Sequence, residues 1–261
     1  MLVPLPGVKD FSPSSPPMSQ DGEGVAAGGE TRKPVNFGVV VFPAFQALDV
    51  FGPLDALNLL SRSYNMNLYT IADTLEPVST KLSSGTGTNT DTGTETGQPA
   101  IVTAAAASDF GQRIVPTHTF QTAPPLDVLI VPGGQGTRYA GIATAVDFVR
   151  ERFPSLRYLL TVCTGAGVAA RAGVLDGRRA TTNKMSWDQT TALRPRRVDW
   201  VRRARWVRDG HVWTSSGISA GVDMTFAWIA AVYGAEVAED IARRMEYEPV
   251  QDPSRDPFAD L

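Results

Sequence analysis

The chain contains one cysteine, Cys163, and its neighbours suit a nucleophile. Residues 157–162 (RYLLTV) form a short apolar run of strand type. Cys163-Thr164-Gly165 then reads as a tight turn, and Ala166 to Ala172 as a helix of small residues. A side chain at such a strand-to-helix turn stands clear of the sheet, beside the unpaired N–H groups of the new helix. Those groups and the helix dipole favour a thiolate over a thiol. The same turn presents the serine of many hydrolases. The simpler fate of a free cysteine is to be a small buried hydrophobe; the turn position argues for a reactive sulfur.

A sulfur nucleophile needs a proton partner. Two other loops follow apolar runs. One carries Asp49 within QALDVFGP (residues 46–53); the other is Pro132-Gly133-Gly134-Gln135-Gly136. Ligands of open α/β sheets bind at the carboxyl ends of the strands, so adjacent strands would bring all three loops together. A carboxyl beside a thiol resists losing both protons, and the pair holds one over a wide pH range. The thiolate can then attack while the carboxyl donates or collects protons. Asp49 placed just before Pro53 also fits an ordinary helix cap. Gly133 and Gly134 let the backbone approach a ligand, and their N–H groups, with that of Thr164, could stabilise an anion developing on a substrate. A plain tight turn after a strand would look the same. No Gly-Lys-Ser/Thr follows, which excludes a P-loop. The two histidines, His118 and His211, lie away from the ends of the central strands. A cysteine-protease pair therefore lacks a base, and one cysteine with two scattered histidines makes no zinc cluster.

The elements that must hold these groups follow from the pattern of the chain. Its 261 residues are 43% hydrophobic with a formal net charge of −3. One cysteine excludes an intrachain disulfide and suits a reducing compartment. No apolar stretch reaches membrane-spanning length, and the start shows no signal peptide, so a cytoplasmic location is expected, with no membrane partner. Residues 1–34 read as a disordered tail rich in Pro, Ser and Gly. Residues 35–250 read as a single domain, with a low-complexity Thr/Gly insert at 81–108 and a C-terminal tail at 251–261. Strands are expected at 37–42, 67–72, 127–131, 157–162 and 178–182. Residues 43–52 are expected as a loop. Helices are expected from Pro53 to Leu60 and over 143–152, 166–172, 186–193, 220–233 and 235–247. Two further strands, at 201–207 and 211–214, flank an Asp209-Gly210 hairpin turn. The alternation predicts a three-layer α/β/α sandwich, flavodoxin-like, with a mainly parallel sheet and an antiparallel hairpin. The arginines at 194, 196, 197, 202, 203, 205 and 208 invite a nucleic-acid reading. A hairpin with arginines facing water explains them better at negative net charge, so no nucleic-acid partner is expected.

Taken together, FPAFQALDVFGPLDAL (42–57), PPLDVLIVPGGQG (124–136), VCTGAGVAARAGVLDGRRATTN (162–183), RDGHVWTSSGISAGVD (208–223) and Glu246-Tyr247-Glu248-Pro249 resemble the ThiJ/PfpI superfamily of the class I glutamine-amidotransferase-like fold. Within it the pattern looks most like the isonitrile hydratases. The resemblance implies Cys163 as nucleophile, Asp49 as its acid, and Thr164 and Gly134 as residues that orient substrate around the sulfur. It implies a homodimer acting on a small molecule without a cofactor. The implied reaction adds water to an isocyanide through a Cys163 thioimidate and releases an N-substituted formamide. A narrow apolar pocket would suit that substrate, with Phe51, Ile218 and Trp187 as its walls. Asn183 departs from the pattern: relatives often carry His there, and an asparagine cannot relay a proton. Two other functions remain open. One is a cysteine redox or ligand sensor, since relatives of the fold form the ligand-binding half of AraC-type regulators, although only Glu248 to Leu261 follow the last helix. The other is glyoxalase-like aldehyde detoxification, against which Asp49 in place of a glutamate counts.

Overall fold

The structure is a computed structural model that describes residues 32–81 and 110–261. Residues 1–31 and 82–109 lie outside the described residues, and with them nearly all of the expected N-terminal tail and Thr/Gly insert. The strands are β1 (Asn36–Val40), β2 (Asn67–Ala72), β3 (Val78–Ser79), β4 (Arg113–Ile114), β5 (His118–Thr119), β6 (Val128–Val131), β7 (Tyr158–Thr161), β8 (Arg179–Ala180), β9 (Asp199–Trp200), β10 (Trp206–Asp209) and β11 (Val212–Ser215). The α-helices are α1 (Ala47–Leu60), α2 (Ala143–Arg152), α3 (Gly165–Arg171), α4 (Trp187–Thr191), α5 (Ala220–Tyr233) and α6 (Ala235–Met245).

Seven strands form the main sheet in the order β10-β11-β7-β6-β1-β2-β5. Every pairing is parallel except β10 with β11. Parallel strands covered on both faces need unbroken apolar runs. β6 supplies VLIV, buried throughout, and β1 and β7 are nearly as dry. Helices α1, α5 and α6 pack together on one face, and α2 and α3 on the other. The chain leaves β1 toward β2 on one side and returns through β6 and β7 on the other. The carboxyl ends of β1, β6 and β7 thus meet where the strand order reverses, the usual ligand crevice of such sheets.

The expected fold is present, with local corrections. Helix α1 begins at Ala47, not Pro53, so Asp49 sits in the first helical turn rather than in a loop. Gly52 and Pro53 had suggested a helix start. Instead Gly52 lets α5 approach, since a Cβ there would lie 2.7 Å from Val222 Cγ2. Pro53 is buried inside the helix and cannot donate to the carbonyl of Asp49. The hairpin turn is Gly210-His211, because Asp209 still pairs with Val212. Not all its arginines face water: Arg205 is buried and bound to Asp223 at 2.7 Å. Residues 251–261, set apart as a tail, are docked: Arg205 N donates to Pro253 O at 2.7 Å, and Arg202 Nε to Ala259 O at 3.0 Å. Among the described residues no helix is long and apolar enough to cross a membrane.

Candidate functional site

Cys163 follows β7 with φ +58°, a left-handed conformation that is costly for a residue with a Cβ. Neighbouring segments hold it there. Its N–H donates to Ser216 O at 3.0 Å, and its carbonyl accepts from Thr182 Oγ1 at 2.9 Å. The next turn is tight: a Cβ on Gly165 would stand 2.2 Å from Val131 O. The side chain is 5% exposed, yet its surroundings are polar. Asn183 Nδ2 donates to the sulfur at 3.1 Å, and the N–H groups of Thr164 and Ile218 bond it as well. Asn183 cannot turn its amide over, because its Oδ1 accepts from Ser186 N at 3.1 Å.

Asp49 reaches the same sulfur from α1. It is fully buried, its Oδ2 accepts from Gly133 N at 2.9 Å, and its carboxyl lies close enough to the thiol for each to shift the other's titration. Its Oδ1 has no hydrogen-bond partner among the described residues. Burial pushes the Asp49 carboxyl up to about 7, against smaller opposing effects of the Gly133 N–H and the thiol. Burial, and then the charge of Asp49, push the Cys163 thiol up to about 12 despite its three N–H partners. The expected preformed thiolate is therefore corrected. The three donors do not offset desolvation, and the pair loses its first proton from the carboxyl. Near neutral pH the arrangement is a thiol beside a carboxyl group that is in the middle of its own titration.

The Gly133 and Gly134 amides are also reassigned. Gly133 N is committed to Asp49, and Gly134 N donates to Thr164 Oγ1 at 3.0 Å, so neither is left for an oxyanion. Both positions require glycine. A Cβ on Gly133 would lie 2.5 Å from Thr164 N, and Gly134, at φ +128°, would place one 2.4 Å from Ala44 O. The loop is pinned to the start of α1, with Gln46 N donating to Gly133 O at 2.9 Å. Thr164 contributes its N–H to the sulfur and uses its hydroxyl to lock the loop.

The three expected wall residues do not form one wall. Ile218 meets the sulfur through its backbone, held at φ +27°. Phe51 is 41% exposed and packs edge-on against Phe45. Trp187 packs against Trp200, with Lys184 and Arg202 over its ring. A cavity of about 150 Å³ borders Thr164, with Thr137, Arg138, Arg171 and Gln189 among its lining, but Cys163 does not line it. His118, in edge strand β5, packs edge-on against Tyr69 of β2, and His211 stacks on Phe153 at the amino end of β11. Among the described residues no group of His, Cys, Asp and Glu is placed to hold a metal. The sequence had noted Asn183 only for the histidine it replaces. Its role as a fixed donor to the sulfur appears once the Asn183–Ser186 turn is seen.

A cysteine at a strained turn, facing a buried acid across the sheet's reversal point, is accompanied by a match of residues 37–231 to the DJ-1/PfpI family. The chain belongs to the DJ-1/PfpI family. An isonitrile hydratase of Pseudomonas putida is 31% identical over 216 residues, which is 82% of this chain and 79% of the hydratase. A solved ThiJ/PfpI family protein from Pseudomonas syringae shares the fold at TM-score 0.64 and 28% identity, over 85% of this chain and 78% of that one. The family also reaches regulators. The HTH-type transcriptional regulator GbdR of Pseudomonas aeruginosa is 33% identical over 147 residues, 56% of this chain and 39% of the regulator.

Proposed function

We propose that the protein hydrates isocyanides, converting R–N≡C and water to R–NH–CHO, with Cys163 as nucleophile and Asp49 as the proton carrier. The observation that carries this is the buried pair, with the carboxyl raised to about 7 beside a thiol raised to about 12. In such a pair the sulfur rests as a thiol, and Asp49, ionised above about pH 7, is the adjacent base that takes its proton as the sulfur bonds to carbon. As the sulfur attacks the terminal isocyanide carbon, Asp49 takes the thiol proton and returns it to that carbon. The product is the thioimidate R–N=CH–S–Cys163. Water then adds across the C=N bond, the C–S bond breaks, and the sulfur recovers its proton as the formamide leaves. Asn183 and the N–H groups of Thr164 and Ile218 favour charge on the sulfur during both steps. The similarity to the Pseudomonas putida hydratase supports the reaction class. We place the activity in a soluble homodimer, with the exposed Leu48 and Phe51 of α1 available to a second copy.

Formation of N-substituted formamide from an alkyl isocyanide tests the reading. The wild type should turn over and Cys163→Ala should not; turnover surviving in Cys163→Ala would refute covalent catalysis. The similarity to GbdR favours a second reading, a sensor. An inert wild type whose Cys163 oxidises readily under peroxide would support that instead.

A further inference from the structure

We propose that Lys184 and Asp256 position the Cys163 turn, and that the segment after α6 is the strap that carries Asp256 into the site. This rests on Cys163 being the working group, whatever its substrate.

The Lys184 side chain is 1% exposed and that of Asp256 0%. The ammonium lies 3.0 Å from Thr181 Oγ1, 3.1 Å from Thr182 O, Ala204 O and Ser216 Oγ, and 3.2 Å from Asp256 Oδ2. An ammonium has three protons for these five oxygens. The neutral oxygens take the hydrogen bonds, and Asp256 neutralises the charge. Two of these partners matter for the sulfur. Thr182 binds the ammonium with its carbonyl and the carbonyl of Cys163 with its hydroxyl, while Ser216 binds the ammonium with its hydroxyl and the N–H of Cys163 with its carbonyl. Lys184 thus ties together the two residues that grip both backbone groups of the strained turn. It also directly follows Asn183, the side-chain donor to the sulfur.

The strap is fastened along its length. Asp223 in α5 accepts from Tyr247 Oη at 2.6 Å and Val250 N at 3.0 Å. Arg205 N donates to Pro253 O, and the free oxygen of the Asp256 carboxylate accepts from Phe258 N at 3.1 Å. Burial is the largest effect disfavouring the Lys184 ammonium, and Arg202 and Arg205 add positive charge near it; Asp256 opposes all three. Arg205 is itself paired with Asp223. The charged group facing Cys163 is Asp49.

Cys163 is the only cysteine, so alkylation by iodoacetamide reports on it alone. Asp256→Asn keeps the size of the side chain and the acceptor for Phe258, and removes the charge. Displacements of a fraction of an ångström break hydrogen bonds to the sulfur but leave it buried, so its proton affinity rises. The expected result is a folded protein whose alkylation is at least threefold slower at each pH from 7 to 10. Rates equal to or faster than the parent's would overturn the proposal. Should Asp256→Asn fail to fold, the double variant Lys184→Met/Asp256→Leu, which replaces the pair with apolar side chains, is read in the same way. Formamide production is followed in parallel. A wild type inactive on isocyanides whose alkylation still slows in Asp256→Asn sinks the hydratase reading and keeps the positioning role. An active wild type whose alkylation is unmoved in Asp256→Asn does the reverse.

Discussion

Replacing Asp49 by asparagine should make Cys163 more reactive and the enzyme less active. After burial, the charge of Asp49 is the largest factor holding the thiol up to about 12. Two unit charges about 4 Å apart interact by about 4 kcal/mol at an effective dielectric near 20, equivalent to about 3 pKa units. Water reaching the site reduces this, so a fall of about 1–3 units is expected. Asparagine can still accept from Gly133 N with its oxygen, which turns its amide N–H groups toward the sulfur. Thiolate nucleophilicity declines with pKa with a Brønsted slope of about 0.5, so alkylation below the pKa should speed up by about 3–30-fold. Formamide production should fall by about 10²–10⁴-fold, because no group remains to carry the proton. Iodoacetamide kinetics and product assay on one preparation give both signs. Alkylation that is unchanged or slower in Asp49→Asn would refute the proposed coupling between carboxyl and thiol.

Asp49 also makes stability depend on pH. Its folded-state value, about 7, lies above the ordinary carboxyl value of 3.8, so the folded form binds the proton more tightly than the unfolded. The stability this confers is fully present below about pH 4 and is lost as pH rises through about 7, a cost on the order of a few kcal/mol. Asp49→Asn should therefore raise the melting temperature at pH 8 and leave it nearly unchanged at pH 4; an equal effect at both would argue against a raised carboxyl. Gly133→Ala would force its Cβ to 3.0 Å from Asp49 Oδ2 and closer still to Thr164. We expect at least a tenfold loss of turnover with circular dichroism preserved. Asn183→Asp keeps the acceptor for Ser186 N but places an acid against the sulfur, and should slow alkylation at least threefold at pH 8.

Much of this was legible in the sequence. β2, α2 and α5 lie over the residues expected of them, because the residue pattern of a short segment reflects short-range physics. The Cys163 turn was legible because a strand, a turn and a run of small residues are all local. The start of α1 was not: Gly52 and Pro53 read as punctuation, and only the packing of α5 shows why they lie within a helix. Gly133 and Gly134 suggested free N–H groups, but the acceptors that occupy them come from α1 and from Thr164. Asp256 reads as one acid in a polar run, and nothing near it in sequence indicates a buried lysine as its partner.

The sulfur owes its surroundings to segments far apart along the chain: Asp49, Thr164, Asn183, Ser216, Ile218 and, through Lys184, Asp256. During synthesis the thiol leaves the ribosome before Asp256 exists, so its full surroundings cannot form until the last segment is made. Its raised proton affinity needs contacts among these distant segments, and such non-local contacts form slowly compared with local helices. Pulse labelling during refolding should therefore show the cysteine still behaving like a free thiol after most helical signal has returned.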